Sequence, residues 1–371
     1  MLKNGSMKKA LSLLLAVVIL SSLMLGATLS VNVNADTTPI YRDTSYSFAE
    51  RAADMVKRMT LQQKAEQLQG GGSATGTIAL PAGDDDAGTL GTGLRQMVWW
   101  GEALHGYSRS AVTDAITGVT NSQQSPQNAT SYPQPYSLGQ TWDPELMYRI
   151  GQEIGLEARE RSPGFDVNLS FYSPTVNLSR DPRWGRNSES YGEDPVQSAL
   201  VASQFVNGMQ GFEMDGETLI DPNGYWLASA TLKHYLANNS ESNRLRGSSN
   251  LTEQENREYY SRVYREIIKR SDPASVMSSY NRIQIAHAAY LPSEYNLHEQ
   301  PGGINFYTLD TMLRQTFGFN GYTTSDCDSI GTAIAGTGTT NTSATQTAGG
   351  NGHGWRTPAY RWDGATANTA N

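Results

Sequence analysis

Cysteine is almost absent from this chain. Cys327 is the only one in 371 residues, so no internal disulfide can form and stability must come from a packed core. Histidine is sparse too: His105, His234, His287, His298 and His353 are scattered, with no HExxH or other zinc spacing. No metal or cofactor is implied. Charged residues make up only 17% of the chain, and 28 Lys and Arg against 36 Asp and Glu give a net charge of -8, the wrong sign for gathering phosphate backbones. Nucleic acid is therefore excluded as a partner. Phenylalanine is scarce, at 8, beside 19 Tyr and 7 Trp, and there are 36 Gly. Aromatic rings with polar edges in a loop-rich chain suit a wet, aromatic cleft.

No long apolar run occurs beyond the first 30 residues. The start reads as an export signal: Lys3, Lys8 and Lys9 are followed by a nearly continuous apolar stretch over 10–29, and Val33, Asn34 and Ala35 offer a small-residue cleavage site. The expectation is a signal peptide over 1–35 and a secreted body over 36–371 with 25 basic and 36 acidic residues, about -11 in charge. A run of about 20 apolar residues can also span a bilayer, so membrane attachment follows only if the leader stays uncleaved.

Helical periodicity covers 47–69, with a break near Met59 and a restart at a Thr60–Gln63 capping box, and again 144–161. A Gly, Thr and Asp-rich loop occupies 70–93 between them. Four short β-branched or apolar runs, 167–172, 227–234, 274–280 and 321–326, each end in polar, aromatic or charged residues. Helical segments at 195–210, 252–269 and 309–316 lie between them, the second opened by Thr252 and Glu255 as a capping box. Strand alternating with helix means α/β architecture with a parallel sheet. An open doubly wound sheet and a (β/α)8 TIM-like barrel both satisfy the pattern. The barrel is favoured, because several successive strands end in reactive groups and no Gly-rich phosphate fingerprint follows an early strand. After Ile330 the chain turns to Gly, Thr, Ala and Asn, with Trp355, Tyr360 and Trp362 arguing for an ordered excursion. The barrel is expected to be incomplete at its C-terminal end.

Asp326, in "TTSDCDSI", directly follows a strand and is a candidate nucleophile, since a carboxylate can attack an anomeric carbon and leave again as an ester. Its other reading is a cap on the following helix. In "TLKHYLANNSESNR", Lys233 and His234 place a long and a short donor side by side, suited to vicinal hydroxyls; a snorkelling lysine beside a core histidine is the plainer reading. Arg186, Lys233 and His234 are the groups expected to keep Asp326 ionised. The segment "NLSRDPRWGRNSESYGEDP" packs three arginines with four acids, most of them scaffold that fixes one or two side chains. "WWGEALHGYSRS" sets Glu102 beside two tryptophans, either core or a sugar platform.

Together "WWGEALHG", "TWDPELMYRIGQEIGLEAR", "RDPRWGRNSESYGEDP", "LKHYLANN", "VMSSYN" and "FGFNGYTTSDCDSI", in that order, resemble the N-terminal barrel domain of glycoside hydrolase family 3, the β-glucosidases and β-xylosidases. The resemblance covers about 47–330. It implies that Asp326 is the nucleophile of a retaining mechanism and that Arg186, Lys233 and His234 bind hydroxyls of the sugar at the -1 subsite. It further implies that Glu102 is another hydroxyl-binding carboxylate and that Tyr280 stands close to the nucleophile. The "KHFPGHG" loop of the β-N-acetylglucosaminidase branch is not matched, which disfavours that branch. In the glucosidase and xylosidase branch the acid/base glutamate sits in a second, C-terminal α/β domain, and no residue here matches it. The expectation is a truncated catalytic barrel, weak alone on natural glycosides. "SDCDSI" and "WWGEALHG" lean toward the xylosidases. The expected partner is an oligosaccharide; a sugar-binding barrel without turnover is the alternative, and oligomeric state is left open.

Overall fold

The computed structural model describes residues 39–61, 101–108, 129–161, 169–286 and 300–330, with 64 and 68 and without 62, 63, 243, 246 and 328. The leader over 1–35, the 70–93 loop, Trp99, His287, His298 and everything after Ile330 lie outside the described residues. The described chain falls into two compact units, one ending at Leu68 and one containing everything from Gly101 onward.

The first unit holds helix α1, Phe48–Arg58. Ser47 caps it: its hydroxyl accepts the Glu50 N–H, and the Glu50 carboxylate accepts the Ser47 N–H in return. The helix stops at Met59, where the sequence predicts a break.

In the second unit, α2 (Pro135–Gly139) leads into α3 (Pro144–Arg161), whose Met147, Ile150, Ile154 and Ala158 are buried at the spacing of one helical face. Strand β1 (Ser170–Phe171) precedes α4 (Pro195–Gln210). Asp194 starts α4 by accepting the N–H groups of Val196 and Gln197, and Gly211, at φ +84°, ends it. Helices α3 and α4 cross at two glycines. A Cβ on Gly151 would lie 2.3 Å from the Phe205 carbonyl oxygen, and one on Gly208 would lie 2.1 Å from that of Tyr148, so only hydrogen at both positions allows this approach.

Strand β2 (Ser229–Tyr235) is followed by β3 (Ser248–Thr252), and Thr252 caps the next helical turn with Glu255. A π-turn at Asn256–Tyr260 leads into α5 (Arg262–Arg270). Then come β4 (Ser275–Ser278), β5 (Arg282–Ala286), β6 (Gln300–Pro301), a π-helix over Tyr307–Thr316 and β7 (Tyr322–Ser325). The four strands read from the sequence, β1, β2, β4 and β7, form one parallel sheet in the order β1-β2-β4-β7. Strands β3, β5 and β6 form a second small sheet that the sequence does not announce, because polar SSNLT buries only Leu251. Gln210, the last residue of α4, ties the main sheet at its base. Its side-chain oxygen accepts the N–H groups of Ala230 and Ala274, entering β2 and β4, and its amide donates to Asp272.

The parallel sheet is strongly curled. Strands β1 and β7 are its opposite edges, yet the Ser170 hydroxyl lies 2.9 Å from the Tyr322 hydroxyl. In a flat sheet three spacings of about 4.8 Å would separate those strands. The sheet therefore bends until its edges meet through their side chains.

Candidate active site

All four strands of the curled sheet run the same way, so their C-terminal ends open on one side. Tyr172 follows β1, Lys233 and His234 lie just before the end of β2, Tyr280 comes after β4 and Asp326 follows β7. The pairing of β2 with β4 slips between Leu232 and Tyr235. Consecutive strand residues normally face opposite sides, and this irregularity lets both Lys233 and His234 serve the same site.

Glu102 reaches the sheet through the backbone beside it. Gly101 accepts the Tyr172 N–H at 2.8 Å, and a Cβ on Gly101 would lie 2.6 Å from the Ser170 carbonyl oxygen, so the glycine of WWGE is what lets this segment lie against β1. The Ala103 N–H then donates to Ser173, and the Glu102 carboxylate meets the Lys233 ammonium at 2.9 Å. Arg186 donates twice to Glu189, at 2.8 and 2.7 Å, and Glu189 also accepts from Thr175, the neighbour of Lys233 across the strand pair.

These pairings correct one expectation. Lys233 and Arg186 are not direct hydrogen-bond donors to Asp326: each is committed to a carboxylate of its own, because a buried cation needs a partner within contact distance. Their charges still favour the ionised form of Asp326 from a distance.

Lys233, His234 and Asp326 are only 3%, 2% and 8% exposed. Asp326 is anchored by its own N–H, which donates to the Ser278 carbonyl, while Oδ1 accepts the Cys327 N–H at 2.8 Å. Oδ2 is buried, has no close hydrogen-bond partner among the described residues and lies 3.6 Å from His234 Nε2, while the Tyr280 hydroxyl is directed at the carboxylate. The Cys327 N–H accounts for Oδ1 and leaves Oδ2 unexplained. Burial pushes the Asp326 carboxyl above its ordinary value, against the Cys327 N–H, the charges of Lys233 and Arg186, and Tyr280. Burial likewise holds the His234 imidazole well below 6.5, helped by the cations Arg186, Lys233 and Arg244, so His234 is neutral and the pair with Asp326 is not an ion pair. Tyr280 is raised by burial and then by the charge of Asp326, which places its phenol beside the carboxylate.

Asn177 orients the histidine: Oδ1 accepts the His234 backbone N–H at 2.7 Å and faces Nδ1 at 3.4 Å, while Nδ2 donates to the His234 carbonyl. The imidazole proton then belongs on Nδ1, leaving the Nε2 lone pair toward Asp326 and any hydroxyl that enters.

A cavity of about 340 Å³ adjoins this wall, lined by Glu102, His105, Gln134, Arg186, Glu189 and Lys233 among others. Three of the six expected site residues line it; Asp326, His234 and Tyr280 do not, and stand at the C-terminal ends of the same sheet as Lys233. Sequence reasoning missed Asn177, took Glu189 for scaffold and overlooked the pair Glu241 and Arg244. The i,i+3 spacing of Arg186 and Glu189, and of Glu241 and Arg244, is the signal that could have found both pairs.

Residues 110–351 match the model of the glycosyl hydrolase family 3 N-terminal domain. Beta-D-xylosidase 3 of Arabidopsis thaliana is 31% identical over 288 residues, 76% of this chain and 32% of that protein. Among solved structures, a family 3 exo-β-xylosidase in complex with a xylobiose aziridine activity-based probe is similar at 28% identity and a TM-score of 0.61, covering 80% of this chain and 33% of that one. β-Glucosidase 3B from Thermotoga neapolitana in complex with α-D-glucose is similar at 26% identity and 0.54, covering 75% and 34%. The chain spans about one third of the length of the curated relatives it matches. With a family model across most of its length and the sheet to match, the chain belongs to glycosyl hydrolase family 3, through that family's N-terminal domain.

Proposed function

We propose that this chain carries the sugar-binding and nucleophilic half of a retaining exo-β-glycosidase that releases xylose or glucose from the non-reducing end of β-linked oligosaccharides. The observation that carries the reading is the free Oδ2 of Asp326. A buried carboxylate oxygen without a donor is expensive, and a purely structural aspartate has no reason to keep one.

In the proposed reaction Oδ2 attacks the anomeric carbon, the bond to the leaving oxygen breaks, and a glycosyl ester forms; water then cleaves that ester. Glu102 and Lys233 hold adjacent hydroxyls, since one accepts and the other donates. His234 Nε2 accepts a further hydroxyl proton. Arg186 lines the same wall. Glu189 is held ionised by Arg186 against its burial, so it is not poised to protonate a leaving group, and Glu102 is committed to Lys233. The chain by itself is therefore proposed to favour glycosides whose leaving group departs without a proton.

The curl of the sheet and its strand order support a (β/α)8 barrel. The basic start and apolar run support export with a cleaved leader, which N-terminal sequencing of exported protein tests. The names of the relatives and the "SDCDSI" stretch favour a xyloside over a glucoside.

A panel of nitrophenyl β-glycosides tests the reading. Release of nitrophenol from the xyloside, lost in Asp326→Asn, supports it; reversible sugar binding with no release from any aryl glycoside favours the binding barrel.

A further inference from the structure

The loop after β2 carries a second carboxylate that the mechanism does not use. Glu241 accepts the Trp184 indole N–H on Oε1 at 3.1 Å and an Arg244 N–H on Oε2, also at 3.1 Å. The Arg244 guanidinium carbon lies 4.9 Å from the centre of the Tyr280 ring. Tyr280 in turn lies against Asp326, and the Arg244 charge is felt at His234. Arg244 is therefore a third cation at the site. Unlike Lys233 and Arg186, it sits on the loop that borders Tyr280, and Asp326 Oδ2 is a buried carboxyl oxygen with no close hydrogen-bond partner among the described residues.

A guanidinium stacked on the ring beside a buried carboxylate would ordinarily swing to join it, since a charge-assisted pair is far better than a buried unsatisfied oxygen. Such a pair would hold Asp326 in its ionised form but occupy the oxygen that must attack. We propose that Glu241 is a positioning residue that prevents this: fixed by Trp184, it draws Arg244 onto the Tyr280 ring and away from Asp326. The inference rests on the reading of Asp326 as a nucleophile, and it deepens that reading.

The groups facing Asp326 are Lys233 and His234 from β2, Arg186 from the loop after β1, Tyr280 after β4, and the Cys327 N–H. Glu102 and Glu189 already balance Lys233 and Arg186, so removing Glu241 leaves Arg244 as the cation without a carboxylate of its own.

The test is direct titration of Asp326 by carbon NMR of the 371-residue chain with aspartate labelled at the carboxyl carbon, the resonance being identified by its loss in Asp326→Asn. In Glu241→Gln the midpoint is expected to fall by about one pH unit, as Arg244 swings onto Oδ2. Glu241→Gln with Arg244→Met is expected to bring it back toward the starting value. Glu241→Asp keeps the charge but shortens the tether; it shifts the midpoint less, in the same direction, and serves where Glu241→Gln does not fold.

The rate of covalent inactivation by a dinitrophenyl 2-fluoro-xyloside supplies the second readout. Its plateau is expected to fall at least tenfold in Glu241→Gln, with its acid limb moving down in pH. An unchanged midpoint, or one that falls equally with Arg244 removed, overturns the inference. An original chain that takes no label sinks the nucleophile reading instead, while the titration still decides the role of Glu241.

Discussion

Oδ2 of Asp326 faces Nε2 of His234 across 3.6 Å, and that oxygen has no close hydrogen-bond partner among the described residues. Two lone-pair-bearing atoms held this close, one on a neutral imidazole, make a site that favours a hydroxyl or a proton in between. Burial makes Asp326 resist ionisation, and the gap between the two atoms is where a hydroxyl of an entering sugar would contribute its proton.

Removing the carboxylate charge at 326 separates binding from chemistry. Asp326→Asn is expected to lower turnover of aryl glycosides by at least 10³-fold while changing sugar affinity by less than tenfold, since a nucleophile contributes to the transition state rather than to ground-state binding. Steady-state kinetics and calorimetric titration with the free sugar check this.

The pair Glu102–Lys233 joins residues 131 positions apart, and it should report on both folding and binding. Lys233→Met strands a carboxylate that is 24% exposed, so the cost is expected to be about 2 kcal/mol, below the range for fully buried pairs. The double variant Glu102→Gln with Lys233→Met should recover part of that. Each single variant should lower kcat/KM by about 10- to 100-fold, the worth of a charged hydrogen bond. Urea denaturation and aryl-glycoside kinetics measure the two effects.

His234 ties stability to pH. In the folded chain it stays neutral well below 6.5, whereas in the unfolded chain it takes up a proton near that value. As pH falls below about 6.5 the unfolded state binds more protons, so stability is lost, at up to about 1.4 kcal/mol per pH unit. Asp326 acts in the opposite sense: its raised folded value adds stability below the unfolded value of 3.8, and that contribution disappears as pH rises through the folded one. Urea midpoints in the Asp326→Asn background isolate the histidine. Their decline from pH 7 to 5 should flatten in Asp326→Asn with His234→Gln.

Packing gives an independent check on the fold. Gly151→Ala puts a methyl within 2.3 Å of the Phe205 carbonyl oxygen, backbone that cannot turn aside. Helices α3 and α4 must separate, at an expected cost of about 1–3 kcal/mol, read as a lowered urea midpoint. Ala at the exposed Glu160 of the same helix should change little.

The elements that frame the site were legible because their signals are local. The bounds of α3 and α4 follow from Pro144, Pro195 and Gly211, and the four parallel strands follow from short apolar runs ending in Tyr172, His234, Tyr280 and Asp326. The second sheet was not legible, because Leu251 alone of β3 is buried and no alternation marks it. At the site, residue types pointed to Asp326, Lys233, His234, Arg186 and Glu102, but pairing is a property of three-dimensional proximity. Nothing local links Glu102 to Lys233 or Asn177 to His234. The sequence therefore suggested donors to Asp326 where the fold had already given Lys233 and Arg186 carboxylates of their own.

The most direct measurement is the mass of the peptide containing residue 326 after the chain is incubated with a dinitrophenyl 2-fluoro-xyloside. The account predicts a gain of one fluoro-xylosyl unit, mapped to Asp326 and absent from Asp326→Asn. A label on any other carboxylate, or an unmodified peptide under conditions where the sugar is bound, contradicts it.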